Sequence, residues 1–257
     1  FTANLASSSV DLNWTENGSA TIWDIEYGPS GYTQGTGSLV SGVTSNPYNL
    51  TGLASGTSYD FYVRSDCGAS GGTGQSNWIG PVSFRTLPSP AQGVNCLAGR
   101  NPAVIFSEEF DNNSAGWTGD INSGNDSWEI PDDAGSSGTG ADNAYSGSNY
   151  MNFEASSTAT TAQGSIVSPP IDLTTGADEA ELSFWMHAYG ADMGTLEVGV
   201  GTSATGPFTN EFTWTGQLQN SGSDPWVNVG VDLTSYLGQT IYIQLTQIDS
   251  VDRKSVV

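Results

Sequence analysis

The sequence predicts an all-β protein made of two successive domains. Three observations carry this. The chain has 33 glycines and 11 prolines in 257 residues, with few long aliphatic helix formers, a composition of short strands and turns. Apolar residues recur at every second position in segment after segment, the period of a strand with one covered face. The length suffices for two domains, each with its own core, and the two halves differ in strand spacing, so they are not copies of one repeat.

Taken in order, residues 8–16 place Val10, Leu12 and Trp14 on one face. Residues 20–28 do the same with Trp23, Ile25 and Tyr27 and end in the turn 28–31, Gly-Pro-Ser-Gly. Weaker strands are expected at 36–43 and 47–50. In 48–67, Tyr59, Phe61 and Val63 form the inward set and Asp60, Tyr62 and Arg64 the outward one. A strand at 81–86 closes the first domain, 1–87. Residues 88–103 are read as a linker, since the stretch 87–93 has two prolines, a glycine and no apolar period.

The second domain is expected over 104–251, with a first strand and turn in 104–120. Residues 131–148 form a loop by composition, and Met151 and Phe153 alternate with Tyr150, Asn152 and Glu154. Further strands are read at 164–174, 211–216, 225–239 and 240–247. The centre is 178–202, which reads as a hairpin. Leu182, Phe184, Met186 and Ala188 share one face of its first strand, and Trp185, His187 and Tyr189 share the other. A turn bracketed by Gly190 and Gly194 then leads into Leu196, Val198 and Val200.

The first domain resembles a fibronectin type III domain, an immunoglobulin-like sandwich. The resemblance is carried by Trp14, Tyr27, the L-x-x-G-T-x-Y element from Leu53 to Tyr59 and the strand ending at Thr86, and its N-terminal edge looks incomplete. It implies that the Tyr59 hydroxyl bonds backbone a few residues upstream. The second domain resembles a MAM domain. The carriers are Leu182, Phe184, Trp185, His187, Tyr189 and Gly190, running into Met193, Gly194, Leu196 and Val198, with Trp117, Trp128, Trp226, Val231, Asp232, Leu233, Tyr236 and Gly238. That resemblance implies a jelly-roll β-sandwich, a module of secreted and cell-surface proteins that binds or spaces and does no chemistry. It also implies one more strand after 240–247. The chain runs instead into residues 252–257, with its only lysine and one of four arginines, a string similar to the translation of a sequencing adapter. These six residues are expected to be a non-native tail. The nearly lysine-free chain, with DCG at 66–68 and GPVSFRT at 80–86, resembles secreted multidomain proteins of environmental Bacteroidetes.

With 27 acidic residues against 5 basic ones, the net charge of -22 excludes nucleic acid as a partner and disfavours an anionic membrane surface. It reads chiefly as solubility. No apolar run is long enough to span a bilayer. Residue 1 is Phe and the chain opens mid-pattern, so the natural N-terminus is expected upstream. Cys67 and Cys96 are too few for a disulfide framework or a zinc site. They pair with each other or with partners outside the fragment, or Cys67 is a small buried hydrophobe.

Any histidine triad would have to use His187, the only histidine, and no nucleophile can be placed beside it; it reads as an edge-of-core imidazole. Asp24 and Glu26 read as an inter-strand or solvated pair rather than glycosidase acids. Glu108 and Asp111 are the candidate metal ligands, for a structural calcium, with the loop acids Asp132, Asp133 and Asp142 behind them; no cofactor is required. The candidate binding residues are Trp185, His187 and Tyr189, since aromatic platforms stack on sugars or anchor protein interfaces. The sequence thus points to a non-catalytic adhesion or protein-interaction segment of a secreted or cell-surface multidomain protein, its partner an extracellular protein or glycan. The alternative is a set of accessory modules of a secreted peptidase or polysaccharide hydrolase whose catalytic domain lies outside these residues. The purified chain is accordingly expected to turn over no peptide or glycan; hydrolysis abolished by replacing His187 would contradict this.

Overall fold

Alternating apolar residues become strands where a hydrogen-bonding partner lies alongside. The computed structural model of the chain describes residues 1–69, 74–96, 98–99, 101–111, 114, 116–121, 127–130, 139–154, 162–174, 176–190, 193–249 and 255–256. It divides into two units, Phe1–Ser89 and Pro90–Val257.

The first unit holds β1 (Thr2–Ala3), β2 (Ser9–Leu12), β3 (Trp23–Pro29), β4 (Ser38–Val43), β5 (Tyr48–Thr51), β6 (Ser58–Ser65) and β7 (Ile79–Arg85). They form two antiparallel sheets, ordered β1-β2-β5 and β4-β3-β6-β7. Between the sheets lie Val10, Leu12, Ile25, Leu50, Phe61 and Phe84. Tyr59 Oη accepts the Ala54 amide at 3.0 Å, fixing the corner before β6. Both cysteine thiols are free.

Of the two sequence readings of the β3 acids, an inter-strand or a solvated pair, the solvated one is corrected. Asp24 and Glu26 are 2% and 3% exposed, because loops fold over the face of the sheet that carries them. Asp24 faces Arg64 across β3 and β6 and receives its guanidinium at 2.9 and 3.0 Å, with Gln75 and the Gly42 amide as further donors. Glu26 accepts the amides of Gly35 and Gly37 and the Gln34 side chain. Burial alone would raise its pKa, but these donors and the Arg64 charge hold it below the ordinary value.

The second unit contains β8 (Thr118–Gly119), β9 (Ser127–Glu129), β10 (Asn152–Glu154), β11 (Ala162–Val167), β12 (Ile171–Asp172), β13 (Glu181–Met186), β14 (Thr195–Gly201), β15 (Thr209–Thr215), β16 (Val227–Asp232), β17 (Thr240–Asp249) and β18 (Ser255–Val256). One sheet runs β15-β14-β17-β11-β8, with β12 also on β17; β13 pairs with β16, and β9 and β18 flank β10. Trp128, Phe153, Met186, Val198, Val229 and Ile243 share the core.

Two expectations are corrected. Residues 178–202 contain both expected strands, but they do not form a hairpin. Strand β13 bonds to β16, whereas β14 lies between β15 and β17. Eight residues separate the two strands, far beyond a two-residue hairpin loop, and both send side chains into one core from different sheets. Of the first strand and turn expected in 104–120, the described residues hold only β8, Thr118–Gly119; no described strand pairs with 104–110, and Val104 is 83% exposed. Of the expected tail, residues 252–254 and 257 lie outside the described residues; Ser255 and Val256 align with Phe153 and Asn152 of β10.

Residues 91–95 are tied down by side chains of β13, of β16 and of Glu179, two residues before β13. The Ala91 amide donates to Asn228 Oδ1, those of Gln92 and Gly93 to the two oxygens of Glu181, and that of Asn95 to Glu179. Gly230 permits this approach, since a Cβ there would lie 2.5 Å from the Ala91 Cα.

Because Asp24 is buried and its charge is met chiefly by Arg64, Arg64→Met should destabilise the first unit by about 3 kcal/mol. Removing both charges in Asp24→Leu/Arg64→Met should recover most of that. Urea unfolding of the two variants checks it, and an unaffected single variant would contradict the account.

Candidate functional site

On the outward face of β13, Trp185 meets Tyr145 of the loop that precedes β10. Trp185 lies between the inward residues Phe184 and Met186 and pairs across the strands with Asn228. Tyr145 stacks on it, ring centroids 3.8 Å apart and planes 15° from parallel. Tyr145 is 51% exposed, so one aromatic ring backed by a second faces solvent.

The expected binding trio is not brought together at this surface. Trp185 is half-buried under Tyr145, and Tyr189 is half-buried with its carbonyl accepting the Gly140 amide. His187 is wholly buried and cannot touch a ligand. Its ring packs 5.5 Å from Trp226, which in turn packs on Tyr150 and donates its indole N–H to the Asn143 carbonyl. Buried Gln219 fixes the adjoining backbone by accepting from the Ala188 amide and donating to the Met186 and Pro225 carbonyls. The residue that sequence reasoning missed is Tyr145, which lies in the stretch assigned to loop. An aromatic side chain amid small and polar neighbours was the available signal.

The metal candidates also point to separate tasks. Glu108 accepts the Phe110 amide, and Phe110 itself takes a left-handed backbone with φ 58°. Asp111 accepts the amides of Ser148 and Asn149 at 3.0 Å each. Gly147 is required beside it, both by its φ of 65° and because a Cβ would collide with the Asp111 carboxylate. Among the described residues no three His, Cys, Asp or Glu side chains gather as a metal site. Asp132 and Asp133 lie outside the described residues, and Asp142 is exposed.

A MAM domain model (meprin/A5/mu) matches residues 109–257, more than half of the chain. The chain belongs to the MAM domain family. A fibronectin type III model matches residues 1–82, ahead of the MAM domain. Both are typically non-catalytic adhesion or interaction modules. Among solved structures, a two-domain fibronectin type III segment of chicken tenascin is 10% identical, covering 100% of this chain and 95% of that one at a TM-score of 0.29. A structure titled for the promiscuous specificity of carbohydrate-binding modules of the β-sandwich superfamily is 13% identical, with coverages of 98% and 90% and a TM-score of 0.31. A Bacillus thuringiensis chitinase is 13% identical, with coverages of 100% and 26% and a TM-score of 0.27. No curated protein matches the chain.

The buried histidine gives the MAM domain a pH dependence. Burial holds the His187 imidazole below its ordinary pKa of 6.5, against the opposite pull of Asp224 and Asp142. The unfolded chain therefore takes up a proton that the folded domain resists. The stability from a neutral His187 is complete above 6.5 and declines as pH falls through that value, by at most about 1.4 kcal/mol per pH unit. Asp172, Asp224 and Asp232, held below 3.8 by hydrogen bonds led by those from Thr174, Asn220 and Thr234, stay charged in this window. Urea midpoints of the MAM domain should drop between about pH 7.5 and about pH 5, and His187→Met should flatten the change. An equal drop in the variant would refute the assignment.

Proposed function

We propose that this chain is a non-catalytic adhesion or protein-interaction segment of a secreted or cell-surface multidomain protein, and that its MAM domain makes contact through Tyr145 and Trp185. The observation that carries this reading is the stacked pair itself. An exposed ring loses little conformational freedom on binding when a second ring holds it in place, which is why rigid aromatic residues anchor interfaces. Its free face suits an aromatic or aliphatic side chain of a protein partner, and equally the apolar face of a sugar ring. The burial of the one histidine supports a binding role over a catalytic one. No cofactor is required; a structural calcium at Glu108 and Asp111 is an optional part of the proposal, tested by melting the MAM domain with calcium and with a chelator.

The binding claim is tested on an immobilised panel of extracellular proteins and polysaccharides. Tyr145→Ala should weaken the interaction found by about thirtyfold, the cost of losing a hot-spot residue of about 2 kcal/mol, while leaving the melting profile in place. Trp185→Ala should weaken it as well. Unchanged binding by both variants would overturn the assignment of the surface.

A further inference from the structure

The free face of Tyr145 fits a protein side chain or a sugar ring, and its surroundings decide between them. The loop that carries it exposes Asp142, Asn143, Ser146, Gly147 and Ser148, all small or polar. Within 139–154, Tyr145 is the only large apolar side chain that is exposed. A protein interface asks more of its surface, because its anchors sit among further apolar contacts that exclude water, on about 800 Å² per partner.

One pyranose unit asks less. Its C–H face lies flat on a single aromatic ring, and its equatorial hydroxyls then reach sideways into whatever surrounds that ring. Beside Tyr145, Asn143 and Ser146 are exposed, and a side-chain amide with a hydroxyl offers both donors and acceptors for such groups. The stack itself also favours a flat occupant. Trp185 lies under Tyr145 with the planes 15° from parallel, so the ring is presented by its outer face, whereas an aromatic protein anchor enters a pocket of its partner.

Charge narrows the class of sugar. The net charge of -22, with Asp142 exposed three residues from Tyr145, disfavours a uronic-acid or sulfated glycan. That charge already counts Arg100, Arg253 and Lys254, which lie outside the described residues.

We propose that the surface formed by Tyr145 and Trp185 binds an uncharged extracellular polysaccharide, with the C–H face of one hexopyranose unit on the Tyr145 ring and its hydroxyls bonded to Asn143 and Ser146. This rests on the contact reading above and names its occupant. A single platform grips one sugar unit at a time, so the dissociation constant for a short oligosaccharide is on the order of 1 mM.

The probe is cellohexaose, whose ring hydroxyls are all equatorial, so that both faces of each unit are C–H faces. Saturation-transfer NMR with the full chain should show transfer to the ring protons well above that to the C6 protons. Tyr145→Ala should bring the transfer below detection without changing the melting profile, Tyr145→Trp should retain it, and Asn143→Ala/Ser146→Ala should weaken binding about fivefold, the loss of one or two hydrogen bonds. The proposal is overturned by an absence of transfer, by transfer that survives Tyr145→Ala, or by equal binding of cello-oligosaccharides oxidised to uronates at C6. Capture of an extracellular protein through Tyr145, with no transfer to cellohexaose, overturns the sugar assignment alone and leaves the contact surface standing; transfer that persists in both Tyr145→Ala and Trp185→Ala removes the surface as well.

Discussion

The second unit depends on strand β17 having both hydrogen-bonding edges in use. It runs beside β14 from Ile248 to Tyr242 and beside β11 from Asp249 to Gln244, with β12 continuing along the same edge at Ile241 and Thr240. A strand placed this way can bury one face completely, and Ile241, Ile243 and Leu245 are all within the core. The other elements follow from that placement. Strands β13 and β16 supply Met186, Val229 and Val231 to the same core, and the loop bearing Tyr145 closes over the outward face of β13.

The face on which each side chain lies was legible in the sequence. Val10 and Leu12, Trp23 and Ile25, Tyr59 with Phe61 and Val63, and Leu196 with Val198 and Val200 are all buried as their period requires. The partner of each strand was not legible. Period 2 marks a face without naming the neighbouring strand, so two strands that feed one core from different sheets read like the arms of a hairpin. The candidate site suffered from the same limit. Trp185 and His187 have the same parity in the sequence, yet one keeps contact with the surface ring and the other is buried by segments distant in the chain. Tyr145 has no periodic neighbours, so only the folded loop gives it a role.

The acidic composition acquires a second meaning in the structure. Asp24 neutralises a guanidinium, but Glu26, Asp60, Asp111 and Glu181 each receive amides of a loop or connecting segment. A carboxylate can accept several such donors at once, and bonds to a charged acceptor are stronger than neutral ones. Part of the negative charge is therefore spent inside the protein, tying irregular backbone to strands. This suits a chain with few basic residues, because the donors come from the main chain itself.

The ties on residues 91–95 bear on how such a protein is assembled from parts. The segment looks like a spacer by composition, yet four of its main-chain amides are held by Asn228, Glu181 and Glu179. A recombination event that joined this MAM domain to a new neighbour at Val104 would leave those side chains without donors and strip a covering from Gly230. The portable unit, in the sense that gene shuffling would respect, therefore starts near Pro90, and its first few residues travel as a piece of the sandwich that follows them.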